Sequence, residues 1–277
     1  MKHDHHHRAT SNPADPWEVS TGESEAFVRR AWNAWSADGG NSQDGSGGSR
    51  RRPRLLDVGA GAGRLAAALV RAGFDVAALE PEPETAAAAR ARGLEVLETD
   101  VTEWTRPAPE TGETPFDCIL FARSLHHIPD LERALTIVRD ALKPGGLVVL
   151  EEFTHDEADE PTARWYFERF DAGVREGFLR PPDDEEPLTA TGLARWRSVF
   201  DHDPPLHGGQ TLLDALARII APPVLVERAP YLYRWFEERS LVPDPARVRS
   251  VLSEEKEAVA GGILRPVGLR AVAVRPA

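Results

Sequence analysis

The sequence predicts an α/β domain with a mostly parallel sheet covered by helices on both faces. Three observations carry this. Short apolar segments and helix-like segments alternate from Arg54 to Phe153. The apolar segments are nearly continuous rather than alternating with polar residues, as expected of strands buried on both faces. A glycine-rich turn, Asp57-Val58-Gly59-Ala60-Gly61-Ala62-Gly63, joins the first strand to the first helix of this series.

The elements follow in order. Residues 23–36 form a short helix, with Phe27, Ala31 and Ala34 at helical spacing and Trp32 and Trp35 three apart. Asp38 to Arg52, rich in Gly and Ser with a basic end, is a flexible connector whose arginines are solvated linker charge. Leu55 to Val58 is the first strand. Arg64 to Ala72 is a helix stopped by Gly73. Phe74 to Glu80 is a strand, and Glu84 to Arg92 a helix ended by Gly93. Leu94 to Asp100 and Phe116 to Ala122 are the third and fourth strands. Asp130 caps a helix running to Leu142, and Lys143-Pro144-Gly145-Gly146 turns into a fifth strand, Leu147 to Phe153. Helices are then expected at 160–177, 191–200, 211–220 and 244–260. A strand interrupted at Pro230 is expected within 223–235, and a last strand at 268–275. This divides the chain into an N-terminal segment with a helix (1–36), a flexible linker (37–53) and one domain (54–277) with lid helices around 155–220.

Composition narrows the function. The 277 residues hold one cysteine, Cys118, which excludes intrachain disulfides and cysteine-based zinc clusters and fits a reducing cytoplasm. The formal charge of −12 opposes general affinity for nucleic-acid backbones. No run approaches the roughly 18 apolar residues of a membrane span. Met1 to Thr10 lacks the apolar stretch of a secretory signal. Its histidines, at 3, 5, 6 and 7, form a tail, native or added, with no metal role assigned. Neither a nucleic-acid nor a membrane partner is expected, and the expected location is the cytoplasm.

Parallel sheets of this kind bind ligands at the carboxyl ends of their strands. The glycine turn lets backbone approach a ligand, and the free amides opening the next helix point to the same place. Alone it would serve any nucleotide. The strand ends sharpen it. Glu80 lies 21 residues after Gly59, where a carboxylate can accept two ribose hydroxyls. Asp100 can accept from an adenine amino group, with apolar Val101 beside it. A G-x-G-x-x-A dinucleotide pattern can be forced onto Gly61, Gly63 and Ala66, but read from Gly59 it breaks at Arg64.

This ordered set, LLDVGAGAGRLA (55–66), ALEPE (78–82), ETDV (98–101), FDCILFARSLHHIPD (116–130) and ALKPGGLVVLEEF (141–153), resembles the class I S-adenosylmethionine-dependent methyltransferase family. The resemblance covers residues 54–153 well and the later strands loosely. It implies a Rossmann-like, doubly wound sheet of seven strands, the last antiparallel, and S-adenosylmethionine as cofactor. It also implies that Asp57 and the loop Gly59, Ala60, Gly61 and Gly63 hold the methionine end. Glu80 and Pro81 would hold the ribose, Asp100 and Val101 the adenine, and the backbone of Ala122 the amino group. The helix between the sixth and seventh strands departs from the simplest family pattern.

Methyl transfer from a sulfonium needs alignment, exclusion of water and, for some acceptors, removal of a proton. His126, backed by His127, follows the fourth strand and is the candidate base, since histidine titrates near neutrality. His155, His202 and His207 are further candidates to approach the site. Candidates for substrate binding are Trp17, Phe27 and Trp32, then Trp165, Tyr166, Phe167 and Phe170, then Arg195, Trp196 and Tyr231 to Arg234, with plain packing the commoner role of helix-spaced aromatics. The acceptor is a small metabolite methylated at O, N or C. The alternative is a non-catalytic protein that binds the cofactor or S-adenosylhomocysteine. Neither Asn-Pro-Pro-Tyr nor Pro-Cys, associated with particular base methyltransferases, follows the fourth strand.

Overall fold

The computed structural model describes residues 17–37, 51–105, 115–181, 191–200 and 205–277. Most of the expected linker and the N-terminal histidines lie outside these residues.

Seven strands form one sheet: β1 (Arg54–Val58), β2 (Asp75–Leu79), β3 (Glu95–Leu97), β4 (Phe116–Ala122), β5 (Leu142–Phe153), β6 (Leu225–Ala229) and β7 (Gly268–Val274). Their order is β3-β2-β1-β4-β5-β7-β6. The first five are parallel, and β7 runs antiparallel between β5 and β6. The reversal of strand order between β1 and β4 opens a crevice beyond their carboxyl ends.

Side chains alternate across the sheet and build two cores. On one face Leu55, Cys118, Leu120 and Val149 pack against Phe27 and Val28 of α1 (Glu18–Ala37) and Leu65 and Leu69 of α2 (Arg64–Arg71). On the other face Leu56, Ile119, Phe121 and Leu150 meet α4 (Leu131–Ala141) and α7 (Gly209–Ile219). α3 (Pro83–Arg90) links β2 to β3. Asp130 caps α4 by accepting from the amide of Arg133 at 2.9 Å, as its position predicts.

A third, aromatic core lies above the crevice. Trp165, Tyr166, Phe167 and Phe170 of α5 (Glu160–Arg175) pack there with Trp196 of α6 (Gly192–Val199) and Phe236 of α8 (Tyr233–Glu238). α9 (Pro245–Ala260) completes this layer.

Four expectations change. β3 covers only Glu95–Leu97, so Asp100 sits in the turn after it. β5 starts at Leu142, because the Lys143-Pro144-Gly145-Gly146 segment joins the strand across a register shift opposite β4. The strand expected through Tyr233 ends at Ala229. Tyr231, Leu232 and Tyr233 instead give their amides to the buried carboxylate of Glu255, at 2.6, 2.9 and 3.0 Å, which starts α8. Arg51, expected as solvated linker charge, pairs at 2.9 Å with the buried Asp117.

Candidate active site

The glycine bend follows β1, with the amides of Gly59 and Ala60 both donating to the carbonyl of Leu79. Two of its glycines do different work. Gly61 has φ +56, and a Cβ there would meet nothing within 4 Å, so its backbone faces open space. Gly63 has φ +74, and a Cβ there would come 2.4 Å from Leu94 and 2.9 Å from Ala89. The first leaves room for a ligand, while the second lets α2 and α3 pack closely.

A cavity of about 250 Å³ opens on this bend, lined by Asp57, Gly59 to Ala62, Arg64, Ala122 and Arg123, with Ser20 and Ser24 of α1 and the preceding Trp17 as its far wall. Asp57 is 2% exposed, and its Oδ1 has no hydrogen-bond partner among the described residues. Burial pushes its pKa up to about 7, against the pull of Arg123. A buried carboxylate left so costly is set to receive a donor or cation.

Glu80 turns toward the bend. One carboxylate oxygen accepts the amide of Gly61 at 2.8 Å and the other that of Glu82 at 3.0 Å. Both oxygens retain lone pairs for further donors. Exposed Pro81 follows it. Asp100 folds into its own turn, its Oδ1 accepting the amide and the hydroxyl of Thr102 at 2.7 and 2.5 Å. Val101 is buried in the core beneath. The bend cavity thus brings together Asp57, Gly59, Ala60, Gly61 and Ala122. Glu80 adjoins it through Gly61, whereas Gly63, Asp100 and Val101 are not in its wall.

A second cavity, of about 280 Å³, shares Trp17, Ser20 and Arg123 with the first. His126 and His127 line it, their ring centroids 4.1 Å apart. His126 is 4% exposed, and its Nδ1 lies 2.5 Å from Oε2 of Glu152, which is wholly buried at the end of β5. The other oxygen of Glu152 accepts the amides of Ser124 and Leu125, at 3.2 and 2.8 Å. With Nδ1–H donating to Glu152, Nε2 is the acceptor nitrogen of His126. Two aromatic pairs form further wall: Phe153 stacks on Tyr231 (4.7 Å) and Phe200 on Trp235 (5.0 Å).

Of the other expected positions, Trp17, Tyr231 and Arg234 line this cavity. Phe27 is core, and Trp32 packs on Trp35 and Phe74. The α5 aromatics and Trp196 belong to the third core. His155 packs near Phe153, and His207 bonds the carbonyls of His126 and Ile128 through its backbone amide and its ring. His202 lies outside the described residues. Sequence reasoning missed Glu152. Its signal was a pair of acids, Glu151-Glu152, closing the apolar run from Leu147 to Leu150, where buried charges need partners.

Comparison with known proteins decides the family: residues 46–194, more than half of the chain, match the model of the methyltransferase domain. The chain belongs to the class I S-adenosylmethionine-dependent methyltransferases. The ubiquinone biosynthesis O-methyltransferase of Rhizobium johnstonii is 30% identical over 154 residues, 50% of this chain and 59% of that enzyme. An uncharacterized methyltransferase of Mycobacterium tuberculosis is 36% identical over 109 residues, 38% of this chain and 41% of that one. The chain spans less than two thirds of the length of these relatives. Two solved structures share its fold. One, assigned as an S-adenosylmethionine dependent methyltransferase of Listeria monocytogenes, has TM-score 0.51 and 14% identity, covering 82% of this chain and 91% of that one. The other, assigned as a sarcosine dimethylglycine methyltransferase of Galdieria sulphuraria, has TM-score 0.51 and 14% identity, covering 92% and 86%.

The site fits S-adenosylmethionine, the cofactor of the family. The unpartnered Asp57 oxygen suits an ammonium, the open face of Gly61 leaves room for the ligand, and Glu80 beside it suits ribose hydroxyls.

Proposed function

We propose that this methyltransferase transfers a methyl group to an oxygen of a small molecule, with His126 as general base. One observation carries the reading: the glycine-bend cavity and a histidine-bearing aromatic cavity adjoin, sharing Trp17, Ser20 and Arg123. Aromatic walls with Ser20, Arg123, His126, His127, Arg234 and Glu238 set among them suit a small, flat acceptor that carries polar groups. The O-methyltransferase named among the relatives supports oxygen as the atom modified.

Bound S-adenosylmethionine supplies an electrophilic methyl on a sulfonium. The chain's own residues do the rest. Asp57, Glu80 and the bend fix the cofactor's ends, and α1 walls the junction from water. The α1 wall is itself tied down, because Glu237 accepts the amides of Val19 and Ser20 at 2.7 and 2.8 Å. As that methyl group is delivered to the acceptor oxygen, Nε2 of His126 would take the acceptor's proton. Glu152 holds the ring in the tautomer that can take it.

Two measurements test this. Titration calorimetry should show S-adenosylmethionine binding and no NAD binding, with Asp57→Ala weakening the former; unchanged affinity would remove Asp57 from the site. For a hydroxyl acceptor, His126→Ala should lower kcat by about 10²- to 10⁴-fold with cofactor affinity retained. Near-normal turnover at saturation would eliminate the base role. Cofactor binding without turnover across a broad acceptor screen would favour a non-catalytic binding protein.

A further inference from the structure

We propose that the acceptor is a small aromatic acid, its carboxylate held by Arg123 and its hydroxyl facing His126. This rests on the methyl-transfer reading and names its substrate class.

The argument begins with charge. Glu151 sits among three arginines, with Arg234 Nη2 at 2.9 Å, Arg270 Nη2 at 2.7 Å and Arg123 Nη1 at 3.9 Å. The first two are hydrogen-bonded to it, and Glu227 gives Arg270 a second carboxylate at 3.7 Å. Arg123 is left over. Its Nη1 is a buried atom with no hydrogen-bond partner among the described residues. The other nearby acids do not reach it with a bond: Glu237 is taken by α1, Glu152 by His126 and two amides, and Glu238 stands elsewhere in the cavity wall. An unsatisfied buried guanidinium nitrogen is costly, and a bound carboxylate removes that cost.

Backbone geometry points the same way. Among the described residues, Arg123 is the one non-glycine with positive φ, at +62°. Strain of this kind persists where a side chain must be aimed. Arg234, whose Nε is also buried and unpartnered, lines the aromatic cavity and not the bend cavity. The bend cavity has its own cation in Arg64 and its own anion in Asp57. Arg123 lines both cavities and also pulls on Asp57, so it stands at their junction, where its open Nη1 can face an acceptor. At about 280 Å³, between stacked aromatic walls, the cavity suits a single substituted ring.

The test uses the full chain saturated with S-adenosylhomocysteine and two probes, 3,4-dihydroxybenzoate and catechol, which differ by the carboxylate. Calorimetry should find the benzoate about 10- to 100-fold tighter on the wild type. Arg123→Met should reduce that preference to about one while catechol binding persists. Arg123→Gly, which relaxes the positive φ, gives the same readout if the methionine variant folds poorly. Equal affinity of the two probes for the wild type overturns the proposal. So does a variant that keeps the benzoate preference but loses S-adenosylhomocysteine, which would assign Arg123 to the cofactor's own carboxylate. Failure of the wild type to bind S-adenosylhomocysteine is a separate result and would sink the methyl-transfer reading instead.

Discussion

Asp57 in β1 and Glu151 in β5 are both buried carboxylates, at 2% and 3% exposure, and burial raises the pKa of each. Their outcomes are opposite. Glu151 is surrounded by Arg234, Arg270 and Arg123 and accepts the Ser24 hydroxyl, and these overcome burial and pull its pKa down to about 2. Asp57 has an unpartnered oxygen, and its pKa rises to about 7. The difference separates a carboxylate whose partners the chain supplies from one with an oxygen left open.

The comparison can be broken most forcefully at Glu151. Glu151→Ala strands buried arginines and should cost about 3–5 kcal/mol of stability by urea denaturation at pH 7. A loss under about 1 kcal/mol would mean that the arginines find other partners. Because its pKa is lowered from 4.5, the Glu151 contribution is full above that value and fades as pH falls toward 2.

Asp57 should behave with the reverse sign. A pKa raised from 3.8 to about 7 means that the folded state holds a proton the unfolded state has released. Ionising the group therefore penalises the fold increasingly from pH 4 to pH 7, and fully above. Asp57→Asn should stabilise the ligand-free protein at pH 8 by on the order of 2–4 kcal/mol and have little effect near pH 4. The same variant should bind S-adenosylhomocysteine more weakly. Destabilisation at pH 8 would show that Asp57 is satisfied after all.

A smaller contrast separates Gly61 from Gly63. Gly63→Ala meets Leu94 and Ala89 and should cost about 2–3 kcal/mol in thermal or urea unfolding. Gly61→Ala meets open space and should cost about 1 kcal/mol, for φ alone, while weakening cofactor affinity. Equal stability losses would erase the distinction between a packing glycine and a ligand glycine.

What the sequence disclosed follows from how local each signal is. The glycine bend, the β1 to β5 alternation and the Asp130 cap are contiguous patterns, and they placed the crevice and the acidic strand ends around it. α8 was illegible because Tyr231-Leu232-Tyr233 carries strand-forming side chains. The helix there is set by Glu255, more than twenty residues away, whose carboxylate takes three successive amides. Arg123 and Glu152 were visible only as letters within longer motifs. Their roles arise from orientation: Glu151 and Glu152 point to opposite faces of β5, one to arginines and one to His126. Most of the expected substrate aromatics proved to be packing, as helix-spaced aromatics commonly do.

The position of β7 carries a consequence for biosynthesis. Among the described residues, β6 finds its sheet partner in β7 alone, and β5 leaves one edge bare until β7 arrives. The ribosome delivers residues 225–229 well before residues 268–274. During that interval the nascent chain exposes the unpaired flank of Leu147–Phe153, an adhesive edge for other chains. Completion of this sheet therefore waits for residues 268–274, and the yield of correctly folded protein depends on how well that flank is shielded in the interval.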